Sequence, residues 1–166
     1  MVKKILVPIA FSKYSQGILK YAADIAAATG AEMIVANVIN ERDLAAVDKI
    51  TSHGYKVDIE HYVETIKNER REELQRLMDQ LTLPDDRVSY LFCIGDPTNE
   101  LIELVIDKGI DMVVMGVRNR DFSYLFTGSV AERMFSRCPV TIVSYRDREI
   151  SDQLRRKFNK HRHKED

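Results

Sequence analysis

The sequence predicts an α/β fold in which a parallel sheet is covered by helices on both faces. Five short apolar runs are bounded by Gly, Pro or charged residues, as is typical of strands buried on both faces of a sheet. Segments with helical periodicity separate these runs, and such alternation gives right-handed crossovers between parallel strands. The 166 residues are enough for one domain of this kind with a short tail.

Each predicted strand is short, apolar and rich in β-branched or aromatic residues. Pro8 closes the first of them, and Gly116 closes the fourth. In chain order the predicted strands cover residues 5–7, 33–39, 88–93, 112–115 and 140–143.

Four helices are predicted from apolar residues that recur at helical spacing. The first begins at Ser12 or Ser15, whose hydroxyl groups suit a helix cap, and it ends at Gly30. The second ends before Pro84, and residues 41–57 ahead of it are predicted to form a loop with a short helix. The residues predicted to face the core are Ile18, Ala22 and Ile25 in the first helix and Ile59, Val63, Ile66, Leu74, Leu77 and Leu81 in the second.

The third helix follows Asp96, which suits either a helix cap or a role in orienting a ligand or magnesium ion. This helix ends before Gly109, and the fourth helix opens at residues 127–129. The residues predicted to face the core are Ile102, Val105 and Ile106 in the third helix and Val130, Met134 and Phe135 in the fourth.

The segment between the fourth strand and the fourth helix is the most informative candidate site. In open α/β sheets ligands bind beyond the carboxyl ends of the strands, where the winding reverses. The segment leaves its strand at Gly116 and enters the helix through Gly128 and Ser129. A helix start has unpaired N–H groups and partial positive charge that suit a phosphate, and Arg118 adds a cation. Gly-Ser before a helix is also a common cap without a ligand.

The order of motifs along residues 2–145 resembles the universal stress protein family. The matching pieces are Ile5-Leu6-Val7-Pro8, Ser12 and Ser15, Gly95-Asp96-Pro97, Met115-Gly116, Gly128-Ser129-Val130-Ala131-Glu132 and Cys138-Pro139-Val140. The resemblance implies a three-layer, five-stranded parallel sheet of order 3-2-1-4-5, similar to the adenine nucleotide alpha-hydrolase-like fold. It also implies a homodimer formed through the last strand, Val140 to Val143. Some members of the family bind ATP or AMP, and others bind no nucleotide.

The resemblance supplies a set of nucleotide-contacting positions together with three departures from the family pattern. The middle glycine of the phosphate signature is Asn119 here, and eight residues rather than nine precede Gly128. The usual aspartate of the first loop is Ala10, whose missing hydrogen bonds weaken a nucleoside contact by about 1–3 kcal/mol. The positions that match are Pro8, Val38, Met115, Gly116, Gly128, Ser129 and Val130, with Arg118 and Asn119 in the same loop.

Two functional hypotheses follow from this comparison of motifs. The first is a non-catalytic, cytoplasmic stress-response homodimer that binds ATP, AMP or another phosphate ligand in the crevice, with magnesium only where ATP is bound. The second is an interaction module that binds no nucleotide and acts through its dimer surface and its tail. No catalytic residue and no metal site is predicted under either hypothesis.

A basic tail, residues 147–166, is predicted to follow a domain of residues 1–146. Residues 151–166 carry six basic and three acidic side chains, whereas the whole chain has 25 basic and 26 acidic residues and a net charge of −1. Ile150, Leu154 and Phe158 form one thin apolar stripe, which suits packing on the domain or docking to a protein partner. The balanced charge excludes a surface that is basic throughout for nucleic acid, and no apolar run is long enough to cross a membrane.

Overall fold

A five-stranded parallel sheet with the order β3-β2-β1-β4-β5 is the centre of the structure. This computed structural model describes residues 1–45, 59–116 and 130–162. The strands are β1 (Lys4–Pro8), β2 (Glu32–Asn40), β3 (Val88–Gly95), β4 (Met112–Gly116) and β5 (Thr141–Tyr145). The predicted strands and the implied strand order are therefore confirmed.

Helices cover both faces of the sheet, as the sequence predicts. They are α1 (Ser15–Thr29), α2 (Ile59–Met78), α3 (Pro97–Asp107), α4 (Val130–Arg137) and α5 (Arg148–Arg162). Residues 41–45 are also helical, and a 3-10 turn, Asp85–Arg87, leads into β3. The remainder of the predicted loop before α2, residues 46–58, lies outside the described residues.

Two apolar clusters hold the three layers together, one on each face of the sheet. Side chains of a strand alternate between the faces, so Ile5 and Val7 of β1 pack under α1 and α2, whereas Leu6 packs under α3 and α4. All three side chains are fully buried. Burying one side chain of this size stabilises the fold by roughly 1.5–3 kcal/mol. The short central strand therefore makes a large contribution to the stability of the domain.

The start of α1 differs from the prediction that a serine hydroxyl caps the helix. The N-cap residue is Tyr14, and no side chain caps the helix there. The Ser12 N–H donates to Oγ of Ser15 at 2.9 Å, and the Tyr14 N–H donates to Oγ of Ser12 at 3.4 Å. The two hydroxyl groups accept hydrogen bonds from the turn before the helix and are not used within its first turn. Gly30 ends α1 in the left-handed conformation, as predicted.

Two residues predicted to face the core are on the surface instead. Ile106 of α3 is 64% exposed and Phe135 of α4 is 48% exposed. Leu101 and Ala131 are buried among the core residues of the same helices. Each error has the same cause, because adjacent helical residues differ by about 100° in direction and the apolar pattern allows more than one stripe. Val105 and Met134 are buried, as predicted.

The tail forms a helix that is anchored at one end. Ile150 in the first turn of α5 is buried, Leu154 is half-buried, and Phe158 is 69% exposed. Glu149 forms an ion pair of 3.1 Å with Lys13, which precedes α1. The apolar stripe therefore packs on the domain only at its beginning. Within the described part of the chain, no helix combines the length and the apolar character needed to cross a membrane.

Alanine substitutions at Leu101 and Ile106 test which face of α3 meets the sheet. Leu101→Ala removes a buried side chain from a packed cluster and should lower the free energy of unfolding by about 2–5 kcal/mol. Ile106→Ala on the same helix should change it by no more than about 0.5 kcal/mol. Chemical denaturation of both variants provides the measurement, and equal losses would contradict the orientation of α3.

Candidate functional site

The crevice at the carboxyl ends of β1 and β4 is the candidate functional site. From β1 the sheet continues through β2 to β3 on one side and through β4 to β5 on the other, so the winding reverses between β1 and β4. The ladder between these two strands ends at the pair Leu6–Val113. The last residues of both strands extend beyond this pair and border the crevice, which is where doubly wound sheets bind ligands.

Five of the predicted site residues are described, and all five lie at the carboxyl side of the sheet. Pro8 ends β1, Val38 lies near the end of β2, Met115 and Gly116 end β4, and Val130 begins α4. Val38 and Val130 both pack against the cluster on the α3 and α4 face of the sheet, which also contains the buried Met115. Arg118, Asn119, Gly128 and Ser129 lie outside the described residues.

Gly116 marks a close approach between β4 and α1. A Cβ atom at this position would lie 2.6 Å from Cδ1 of Ile18, which is itself buried in the core. A larger residue would therefore require the end of the Ile18 side chain to move. The glycine at this strand end is explained by packing as well as by its match to the family motif.

The first loop is fixed by a polar contact that sequence reasoning missed. Asn37 of β2 is buried, and its Nδ2 donates to the carbonyl oxygen of Ile9 at 2.8 Å. Nη1 of Arg70, in α2, donates to Oδ1 of Asn37 at 2.5 Å, and burial lowers the pKa of the Arg70 guanidinium. Ala10 follows Ile9 and is exposed, so the position of the family's aspartate faces solvent with only a methyl group.

Phe11, the next residue in this loop, adopts an unusual backbone conformation. Its φ of 47° lies in the left-handed region, which is costly for a bulky side chain. The Phe11 ring packs against the cluster under α1 and α2. This packing and the hydrogen bond from Asn37 to Ile9 give the loop one defined path along the border of the crevice.

Asp96 caps α3, as the first of its two interpretations predicts. Its Oδ1 accepts hydrogen bonds from the N–H groups of Thr98 and Asn99 at 3.0 and 3.1 Å. Its Oδ2 pairs with Nη1 of Arg133, in α4, at 3.2 Å. The Asn99 N–H, and then the Arg133 guanidinium, hold the pKa of Asp96 below its ordinary value. The carboxylate therefore joins the starts of two helices.

Acidic side chains near Asp96 do not form a metal site in the described part of the chain. Burial raises the pKa of Glu100, and the charges of Glu103, Glu41 and Asp96 raise it further. A Cβ atom at Gly95 would overlap the Glu100 carboxylate, so this side chain lies directly over the end of β3. Among the described residues no group of three or more His, Cys, Asp or Glu side chains could hold a metal ion.

These features define a doubly wound α/β domain with a crevice at its topological switch point. The profile of the universal stress protein family matches residues 1–146, and the chain belongs to this family. A universal stress protein from Methanocaldococcus jannaschii is 26% identical over 154 residues, which cover 86% of this chain and 95% of that protein.

Solved structures of the same family share the fold. A universal stress protein from Archaeoglobus fulgidus in complex with dAMP is 14% identical, with a TM-score of 0.59 over 88% of this chain and 100% of that one. A universal stress protein in complex with cAMP is 19% identical, with a TM-score of 0.58 over 87% of this chain and 96% of that one. At these identities the likeness shows the architecture, and the nucleotides belong to those proteins.

Asp96→Asn should reduce the loss of stability in acid. Because the folded-state pKa of Asp96 is lowered, the stabilisation by its carboxylate is present above about pH 4 and is lost as the pH falls through the folded-state pKa. The variant keeps a capping side chain but loses the charge, so we expect it to be less stable by roughly 0.5–1 kcal/mol at pH 7. This difference should shrink toward zero well below pH 4.

Urea denaturation at a series of pH values measures this difference. Asp24→Asn is the matched control, because Asp24 is an exposed carboxylate on α1. A difference between wild type and Asp96→Asn that stays constant from neutral pH into acid would show that the Asp96 carboxylate contributes no stabilising interaction.

Proposed function

We propose that this protein is a non-catalytic, cytoplasmic stress-response protein that binds an adenine nucleotide, AMP or ATP, in the crevice between β1 and β4. The observation that supports the proposal is that Val38, Met115 and Val130 belong to or pack on the apolar cluster of one sheet face, at the carboxyl side of a sheet whose winding reverses between β1 and β4. These three residues come from two strands and one helix, and all match nucleotide-contacting positions of the family. Family members in complex with dAMP and cAMP support an adenine ligand.

In this proposal the two ends of the nucleotide have different partners. Val38, which is half-buried, supplies apolar contact for the base, while the start of α4 at Val130 presents backbone N–H groups and partial positive charge to the phosphate. Gly128 and Ser129 directly precede that helix, and Arg118 adds a cation from the same loop. Magnesium is required only for ATP, whose additional phosphates need charge neutralisation.

Binding without turnover is the function that these residue types support. Apolar side chains, helix N–H groups and an arginine hold a nucleotide, but none of them removes a proton from an attacking water. The exposed Ala10 removes a contact to the nucleoside, so the binding should be weaker than with an aspartate there. We therefore propose a sensor of nucleotide concentration and not an enzyme.

Calorimetric titration with AMP and ATP tests the proposal through two substitutions of opposite effect. Gly128→Asp adds bulk and negative charge beside the phosphate and should weaken AMP binding at least about tenfold. Ser136→Asp adds the same charge at an exposed position of α4 and should leave the affinity nearly unchanged.

Ala10→Asp should strengthen AMP binding about tenfold, because it restores a hydrogen-bonding carboxylate near the nucleoside.

The outcome that would contradict nucleotide binding is equally clear. If neither wild type nor Ala10→Asp gives a heat of binding with AMP or ATP at millimolar concentrations, the proposal of nucleotide binding is wrong. The hypothesis that remains is the interaction module. In that case the protein acts through its surface, and the functional surfaces are the edge strand β5 and the basic helix α5.

We also propose that two copies pair through β5 to form a homodimer. The strand β5 is at one edge of the sheet, and its five residues carry no charge. An uncharged edge strand has unpaired N–H and C=O groups that a second copy of the same strand satisfies around a two-fold axis.

Ser144→Lys should weaken this β5 pairing. Ser144 is exposed, so lysine places a charge in the interface without removing any core packing. Sedimentation velocity should show a smaller species than for wild type, whereas Ser136→Lys, an exposed control on α4, should sediment as wild type. Identical association of all three proteins would show that β5 is not the dimer interface.

A further inference from the structure

At the opposite edge of the sheet, strand β3 lacks the features that normally protect an edge, as far as the described residues show. Among the described strands only β2 pairs with β3, so the outer backbone groups of its eight residues have no neighbouring strand. The strand reads Val-Ser-Tyr-Leu-Phe-Cys-Ile-Gly and contains no charge and no proline. Natural sheet edges are usually short, charged, interrupted by proline or covered, because an open apolar edge pairs with other chains.

Helix α2 leaves the side chains on one face of β3 partly uncovered. Tyr90 is 46% exposed and Ile94 is 42% exposed, although both belong to the face that carries α2. Val88 and Phe92 alternate with them along the same face. Tyr90 and Phe92 contact each other edge to face, with ring centroids 6.2 Å apart. The result is a row of four apolar side chains beside an open backbone edge.

We propose that β3 pairs in antiparallel fashion with β3 of a second copy of this chain, around a two-fold axis through Leu91. A two-fold axis perpendicular to the sheet keeps each side chain on its own face, so position 91 lies opposite itself. Tyr90 then lies opposite Phe92 of the partner, and Val88 lies opposite Ile94 of the partner. Such apolar and aromatic cross-strand pairs each stabilise a sheet by about 0.2–1 kcal/mol.

The charges of α2 favour this arrangement of two copies. Beside Ile94 the groove between α2 and β3 is lined by Glu60 and Glu64 together with Lys67. Beside Val88 and Tyr90 the groove is lined by Arg71 and the uncharged Gln75. Glu64 is paired with Lys67 at 3.4 Å, so this end keeps one net negative charge, at Glu60. The two-fold axis places this end of one copy against the Arg71 end of the other, once on each side of the axis. Opposite charges therefore face each other along the same register that pairs the apolar row.

This surface is independent of the proposed nucleotide site and of the proposed β5 interface. β3 and β5 are at opposite edges of the sheet, so pairing at one edge leaves the other edge free. A chain that pairs at both edges forms open assemblies of alternating contacts. The net charge of −1 provides little repulsion between copies.

Disulfide crosslinking tests both the interface and its register. With the axis at Leu91, Ser89 lies opposite Cys93 of the partner, and opposed residues of antiparallel strands have Cα atoms about 4.5–5.5 Å apart. This distance suits a disulfide. Ser89→Cys in a Cys138→Ser background should therefore form covalent dimers on mild oxidation. Ser89 is exposed, so its replacement removes no core packing.

The matched control adds Cys93→Ser to the same protein. Its only thiols are then the two copies of residue 89, which the register separates by roughly 13 Å, too far for a disulfide. We expect at least about tenfold more covalent dimer with Cys93 present than with Cys93→Ser. Equal yields in the two proteins, or no covalent dimer in either, would overturn the proposal.

A second variant measures the association without oxidation. Tyr90→Lys places a charge in the apolar row, and it is made in the Ser144→Lys background so that β5 pairing does not contribute. Sedimentation velocity should show concentration-dependent dimers for Ser144→Lys and at least about tenfold weaker association for the double variant. If Ser144→Lys alone is monomeric at all concentrations, a β3 pair does not form and the proposal is wrong.

Discussion

Burial of β1 on both faces is the constraint on which the rest of this structure depends. Ile5, Leu6 and Val7 have no exposed surface, and parallel strands pair with β1 on both sides. A strand buried in this way needs helices above and below it, and right-handed crossovers to both faces require the winding to reverse beside the central strand. The crevice at the ends of β1 and β4 is therefore a consequence of how the core is covered.

Polar contacts between distant residues complete the border of this crevice. Asn37 fixes the loop after β1 by bonding Ile9, and Arg70 from α2 orients Asn37 in turn. On the other face, Asp96 and Arg133 tie the start of α3 to the start of α4. The helix that is proposed to meet the phosphate is thus held by a carboxylate that already has its hydrogen bonds satisfied.

The strands were predictable from sequence because short apolar runs bounded by Gly, Pro or charged residues fit strands that are buried on both faces of a sheet. Buried parallel strands are apolar on both sides, so no choice of face was needed for residues 5–7 or 33–39. The helices required such a choice, and the predictions failed there: Ile106 and Phe135 fit a helical stripe as well as Leu101 and Ala131 do. The serine cap failed because Ser12 and Ser15 bond the preceding turn. The contact between Arg70 and Asn37 joins residues that are 33 positions apart, so no local pattern in the sequence indicates it.

The candidate site was predictable only as far as local motifs determine it. Gly116 and Val130 stand where a strand ends and a helix begins, so their positions follow from the pattern, and the strand order comes from the family resemblance. Affinity depends on the side chains that complete the crevice, and position 10, where the family usually has an aspartate, is Ala10 here and offers no polar group. The same limit applies to β3, whose open edge is visible only once the strand order is known.

Titration of the isotopically labelled protein with AMP, followed by two-dimensional NMR of the backbone amides, tests directly whether a nucleotide binds at the winding reversal. We expect the signals of Val38, Gly116 and Val130 to shift together and to saturate at one dissociation constant. Amide signals of β3 should stay unchanged. A spectrum that does not respond to AMP, or that shifts only at residues 88–95, would contradict a nucleotide site at the winding reversal.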